Sequence, residues 1–112
     1  MKGQTLKGHL DLLVLSVVAT GPCHGYAVIE QLRARSGDAF DLPEGTIYPV
    51  LHRLEGAGLL ESDWNERSGR RRRTYRLSQG GRAALIEERS AWDEFVTAVG
   101  SVLKGGPWPT PT

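Results

Sequence analysis

The 112-residue chain has one cysteine, one methionine, three histidines and only 7% aromatic side chains. A lone Cys23 excludes an internal disulfide, and with His9, His24 and His52 scattered there is no metal-ligand spacing, so neither a metal nor a cofactor is expected. Long apolar runs are missing too. The run Leu12–Leu15 already ends at Ser16, whereas a membrane span takes about 18 or more apolar residues. A signal peptide is not expected, because Lys2 and Lys7 are followed by His9 and Asp11 rather than by an apolar stretch, and the chain reads as cytoplasmic. Paired carboxylates and a phosphate-cradling glycine loop are absent. Adjacent Cys23 and His24 do not make a nucleophile with a base and an orienting third group, so no enzyme is expected. The length, with 39% hydrophobic residues, suits one small core and excludes a two-domain enzyme.

Charge is nearly balanced, at +1 net, but unevenly placed. Residues 1–82 carry twelve Lys and Arg against nine Asp and Glu, and residues 83–112 carry two against four. Within the basic part, residues 67–82 hold seven arginines (Arg67, Arg70, Arg71, Arg72, Arg73, Arg76 and Arg82) and no acid. A local patch of this kind, rather than net charge, is what a polyanion recognises.

The periodicity predicts four helices and one hairpin. Leu6, Leu10, Leu13, Val14, Val17 and Val18 form a helical stripe that Gly21-Pro22 stops. A second stripe, Tyr26, Val28, Ile29 and Leu32, covers about 24–35 and ends at Ser36-Gly37. A third, Ile47, Val50, Leu51 and Leu54, opens at Pro43-Glu44-Gly45-Thr46 and closes at Gly56-Ala57-Gly58, with Pro49 expected near enough to the start to cost little. Beyond Gly58 the period becomes two: Leu60, Ser62 and Trp64 share one face, and after a Ser-Gly loop Tyr75 and Leu77 share another. Ser78 is placed to cap a long helix reaching about Leu103. On it Leu85, Trp92 and Val99 recur every seven residues, as do Val96 and Leu103, a seam suited to a dimer interface. The Gly- and Pro-rich segment 105–112 is expected to be disordered.

This order predicts a mainly α fold with a two-stranded β wing: a winged helix-turn-helix over 1–77, a C-terminal dimerisation helix over 78–104, and a tail over 105–112. The segment 43–55, reading Pro-Glu-Gly-Thr-Ile-Tyr-Pro-Val-Leu-His-Arg-Leu-Glu, resembles the signature of the PadR family of transcriptional regulators. His24-Gly25-Tyr26, Gly58-Leu59-Leu60 and the run from Gly69 to Ser78 followed by Gly81-Arg82 are similar to the same family. One departure is Thr74-Tyr75 where two adjacent aromatics are usual. The likeness covers about residues 5–104 and is closest to the smaller subgroup, with one helix after the wing.

The resemblance implies a dimeric regulator, a repressor that binds a palindromic operator in double-stranded DNA and is released by a small hydrophobic or aromatic effector. In a helix-turn-helix the second helix reads the major groove. Thr46, Tyr48, Pro49, His52 and Arg53 are therefore expected at DNA, although Tyr48 half-buried on helix two and Arg53 paired with Glu55 or Glu30 is an ordinary alternative. The wing arginines Arg70, Arg71, Arg72 and Arg73 suit the adjacent minor groove, against the plainer reading of a solvated edge. Lys7, with Lys2 and His9, could add phosphate contacts. Trp92 with Phe95 and Val96 reads as an interface anchor, or, through the resemblance, as an effector-stacking site. A winged-helix module that uses its basic wing on an acidic protein is the rival. RNA binding is weaker still, because only Tyr75 and Trp64 offer stacking surfaces near the arginines.

Overall fold

The computed structural model describes residues 6–67, 69–107 and 109. Its elements run α1 (Leu10–Ala19), β1 (Cys23–His24), α2 (Gly25–Arg35), α3 (Glu44–Gly56), β2 (Leu60–Arg67), β3 (Arg70–Leu77) and α4 (Gln79–Lys104). None of these helices is long and apolar enough to cross a membrane. Lys2 lies outside the described residues, as do 108 and 110–112 of the tail.

Helix α1 lies at the centre, with Val14, Leu15, Val17 and Val18 buried. The stripe from Leu6 is not continuous helix, because Gly8-His9 forms a turn and the regular helix starts at Leu10. Glycine gains least from helical geometry, and the break falls there. His24 caps α2, its Nδ1 accepting from the Ala27 amide at 3.2 Å. The stripe of α3 packs inward as its spacing requires, with Ile47, Val50, Leu51 and Leu54 all buried. Pro49 is further along than the sequence suggests: with Glu44 as first residue it sits sixth, in the second turn, and leaves the Gly45 carbonyl without its i+4 donor.

The wing strands pair antiparallel from Leu60↔Leu77 to Arg67↔Arg70, and Gly69 adopts φ 73° at the connection, where a left-handed residue is needed. The sheet has a third member. Strand β1 pairs with β3 through Cys23↔Tyr75 and His24↔Thr74, giving the order β1-β3-β2. Two residues are too few to show an alternating pattern, so this strand leaves no periodic trace in the sequence. Its effect is to bind the base of the wing to the start of α2.

The core comprises the buried faces of α1, α2 and α3 together with Leu60 and Tyr75 from the wing base. Leu77, Ala84 and Leu85 pack against it, so the first turns of α4 belong to this body. Ser78 anchors the junction: its Oγ accepts from the Gly81 amide at 2.9 Å and donates to the Gly58 carbonyl. Beyond Leu85 the helix leaves most of its apolar side chains exposed, Phe95 at 56% and Val102 at 77%, while Trp92 still meets His9. No buried side-chain polar atom among the described residues lacks a partner.

Gly81 is fixed by close approach: a Cβ there would lie 2.0 Å from the Leu59 carbonyl oxygen. Glycine to alanine within a helix normally stabilises by about 1 kcal/mol. Here Gly81→Ala forces backbone against backbone, and a loss of about 2 kcal/mol or more is expected, read as a lower urea midpoint at unchanged m-value.

Candidate nucleic-acid interface

An open cleft of about 820 Å³ lies between the start of α2, the exposed side of α3 and the inner face of the wing. The sequence-predicted residues Tyr48, His52, Arg70, Arg71, Arg72 and Arg73 all line it. They are joined by His24, Tyr26, Glu30 and Trp64, to which no role in DNA contact is assigned from sequence. Spacing could not have found these four, because they come from three elements, β1, α2 and β2, that only the fold brings together. Thr46, Pro49, Arg53 and Lys7 do not line the cleft. Pro49, Arg53 and Lys7 are exposed elsewhere on the surface, and Thr46 is half-buried.

Tyr48 is half-buried, and its ring covers the first residue of α2 so closely that a Cβ at Gly25 would sit 2.6 Å from Cε1. Burial, with Glu44 beside it, raises the phenol pKa and keeps the hydroxyl protonated as a donor. Arg53 does pair with an acid, though with neither Glu55 nor Glu30. Both of its terminal nitrogens donate to Asp11 of α1, one at 3.0 Å, with the guanidinium side chain 59% exposed. Sequence separation hides this partner, 42 positions away. An exposed fork of this kind contributes little stability and can be exchanged for another anion.

The wing arginines are not equivalent. Arg70, Arg71 and Arg72 are exposed. Arg71 lies 4.8 Å over the Trp64 ring, which holds its planar head against the strand. Arg72 approaches His24 Nε2 at 3.3 Å while His24 Nδ1 already serves the Ala27 amide. A neutral imidazole has one acceptor nitrogen, so it cannot accept from both donors, and exposed Arg72 is the one able to turn to an outside anion. Arg73 is half-buried and differs from its neighbours: it donates to Glu55 and Ser62 rather than to solvent. Arg76, on the opposite face, is held by Asp63 and Glu61. The acid-free stretch in sequence is thus partly neutralised by acids from β2 and α3.

Cys23 offers no chemistry here. Burial raises its thiol pKa, against a smaller opposing effect of Arg35, so the reactive thiolate is disfavoured. Among the described residues no group of three His, Cys, Asp or Glu is gathered for a metal.

A second feature lies along α4. Trp92 meets His9 edge-on, with ring centroids 5.0 Å apart, and Phe95 at 6.1 Å. These rings border a shallow recess of about 210 Å³ with Gly8, Leu12, Glu88 and Ala91. Val96, Val99 and Leu103 continue the exposed stripe outside it. Leu85, expected at an interface, packs against its own core because α4 still overlies the body at that turn.

The sequence profile described as the transcriptional regulator PadR-like family matches residues 14–87. A transcriptional regulator of Mycobacterium tuberculosis, Rv3488, is 41% identical over 88 residues, 79% of this chain and 79% of its own length. The crystal structure of a PadR family transcriptional regulator from Eggerthella lenta superimposes with TM-score 0.82 at 31% identity, covering 92% of this chain and 88% of that one. A PadR-like transcriptional regulator from Bacillus cereus gives TM-score 0.81 at 28% identity, covering 93% and 100%.

The contact between Tyr48 and Gly25 is directly testable. Gly25→Ala should cost about 1–3 kcal/mol in thermal or urea unfolding. Because the three nearest atoms to the added methyl all belong to Tyr48, combining it with Tyr48→Ala should be less damaging than the sum of the two changes, with a coupling of about 1 kcal/mol.

Proposed function

Because the chain belongs to the transcriptional regulator PadR-like family, we propose that it acts as a homodimer that binds palindromic double-stranded DNA and represses transcription until an effector releases it. The observation that carries DNA binding is the cleft itself, where exposed Arg70, Arg71 and Arg72 line the same opening as Tyr48 and His52 of α3. On this reading α3 enters the major groove, with Thr46, Tyr48, Pro49, His52 and Arg53 toward bases or backbone. The wing follows the neighbouring minor groove, where guanidinium groups supply affinity more than sequence preference. Arg72 leaves His24 for a phosphate oxygen, and Arg53 exchanges Asp11 for another. Lys7 contributes only at the edge. A regulator of this kind works where the chromosome is, in the cytoplasm.

The dimer rests on the stripe of Trp92, Phe95, Val96, Val99, Val102 and Leu103, a row of exposed large apolar side chains on one long helix. Water-facing rows of this kind mark an interface, and seven-residue spacing suits a second copy of the same helix. Twofold symmetry then gives a palindromic site with half-sites about 10 bp apart or a multiple of it. The recess bounded by His9, Trp92 and Phe95 would take a small aromatic effector by ring stacking. Because it touches both the start of α1 and the dimer helix, occupancy would favour one spacing of the two DNA-binding bodies over another.

Selection of duplexes from a random pool at physiological salt tests this directly: enrichment of one palindrome is expected. Strong binding without any motif would overturn sequence-specific regulation and favour an acidic protein as the wing's partner. Within the enriched duplex, Arg72→Ala should reduce the slope of log K against log salt by about one while leaving the motif intact. Val99→Asp should yield monomers in sedimentation and lose palindrome preference, since it puts a charge into the apolar seam.

A further inference from the structure

The wing is a two-stranded arm, and beyond its base one side-chain ring ties it to α3. Glu55, in the last turns of α3, receives Arg73 Nη2 of β3 on both carboxylate oxygens, at 3.1 and 3.3 Å. Arg73 Nε donates to Ser62 Oγ of β2 at 2.7 Å, and that hydroxyl donates on to Glu55. Three elements meet in a closed ring of side-chain hydrogen bonds. The Arg73 head also lies 5.4 Å over the Trp64 ring and 6.0 Å over the Tyr75 ring. The side chains are 33% and 24% exposed, against 59% for Arg53 in its fork with Asp11. Less water means less screening and a stiffer pair. The Arg76 pairs, by contrast, join β3 only to β2 and cannot orient the wing against α3.

We propose that the Arg73–Ser62–Glu55 ring sets the distance and angle between α3 and the wing, and that Arg73 and Glu55 are positioning residues for DNA recognition rather than contacts to DNA. Arg73 stands in a run of four arginines whose other three are exposed, and the ring takes it out of that set. A recognition helix and a wing reach two adjacent grooves together only if their separation is held, and a bond between them holds it without touching a base. The functional readout rests on the DNA-binding reading above; the ring itself is measurable without DNA.

The two roles give opposite signs. If Arg73 were a phosphate contact, Glu55→Gln would free it and remove a repulsive carboxylate, so every duplex would bind tighter, and Arg73→Gln would lower the salt slope by about one. With the ring as a positioning device, Glu55→Gln weakens binding to the duplex enriched from a random pool by roughly five- to twentyfold and leaves a scrambled duplex nearly unchanged. Arg73→Gln does the same at unaltered salt slope. The exchanged pair Glu55→Arg with Arg73→Glu recovers most of the lost preference. Arg76→Gln removes the same charge from the wing and leaves the preference in place. Tighter binding by Glu55→Gln, or a reduced slope for Arg73→Gln, overturns the proposal. Should no duplex be enriched, the DNA-binding reading fails and amide hydrogen exchange decides on the ring. Faster exchange along β2 and β3 in Glu55→Gln but not in Arg76→Gln supports it, and equal protection in both overturns it.

Discussion

The burial of Tyr75 is the constraint on which the rest of this structure depends. It is 2% exposed, sits on the central strand of the sheet, and faces Cys23 on one side and Ser62 on the other. A strand alternates faces with period two, so placing Tyr75 in the core decides the direction of every other side chain in β3. Arg73 then falls on the same face one step outward, against Glu55, and Arg71 one step further, over Trp64. Thr74 and Arg76 fall on the other face, with Asn65, Glu61 and Asp63 as partners. A slip of one residue would bury Thr74 or Arg76, expose the tyrosine and dissolve the ring with α3. Hydrophobic burial at the base and charge pairing along the arm therefore favour this register.

This register also explains how a basic segment is divided between stability and binding. Arg73 and Arg76, toward the base, are matched by acids, the Arg73–Glu55 pair shielded from water and the Arg76 pairs largely exposed, while Arg70, Arg71 and Arg72 toward the tip face solvent without an acid within bonding distance among the described residues. Coulomb attraction grows as water is excluded, so a matched pair near the core is firm and an unmatched charge at the tip stays available. Arg53 and Arg72 are intermediate cases. Each is exposed and lies beside one weak neighbour, Asp11 or His24, that a stronger anion can replace. On the proposed function, the free protein thus keeps its reading surface partly ordered before DNA arrives.

Helix α4 shows a comparable division along one element. Its first turns are locked by Gly81 against Leu59 and by Leu85 in the core, whereas the later turns carry their apolar side chains into solvent. A 26-residue helix reaches about 39 Å, more than a body of this size can cover. The edge contact of Trp92 with His9 is where the projecting half still touches α1.

By itself the sequence determined the order of the helices α1 to α4, the hairpin, the inward faces of α1 and α3, and membership in the PadR-like family, because these follow from local periodicity and from a contiguous motif. Ile47, Val50, Leu51 and Leu54 are legible as a core stripe, since helical spacing alone puts them on one side. The break at Gly8-His9, the place of Pro49 in the second turn and the strand at Cys23-His24 were less legible, because each depends on one or two residues and no period forms over so few. Pairings across long separations were not legible at all. Asp11 with Arg53, Glu55 with Arg73 and His24 with Arg72 join residues whose spacing in sequence carries no pattern. Seven arginines written without an acid look alike in one dimension. Only the folded chain, by bringing β2 and α3 beside β3, decided which of them are neutralised and which face solvent, because electrostatic pairing acts on distance in space and not along the chain.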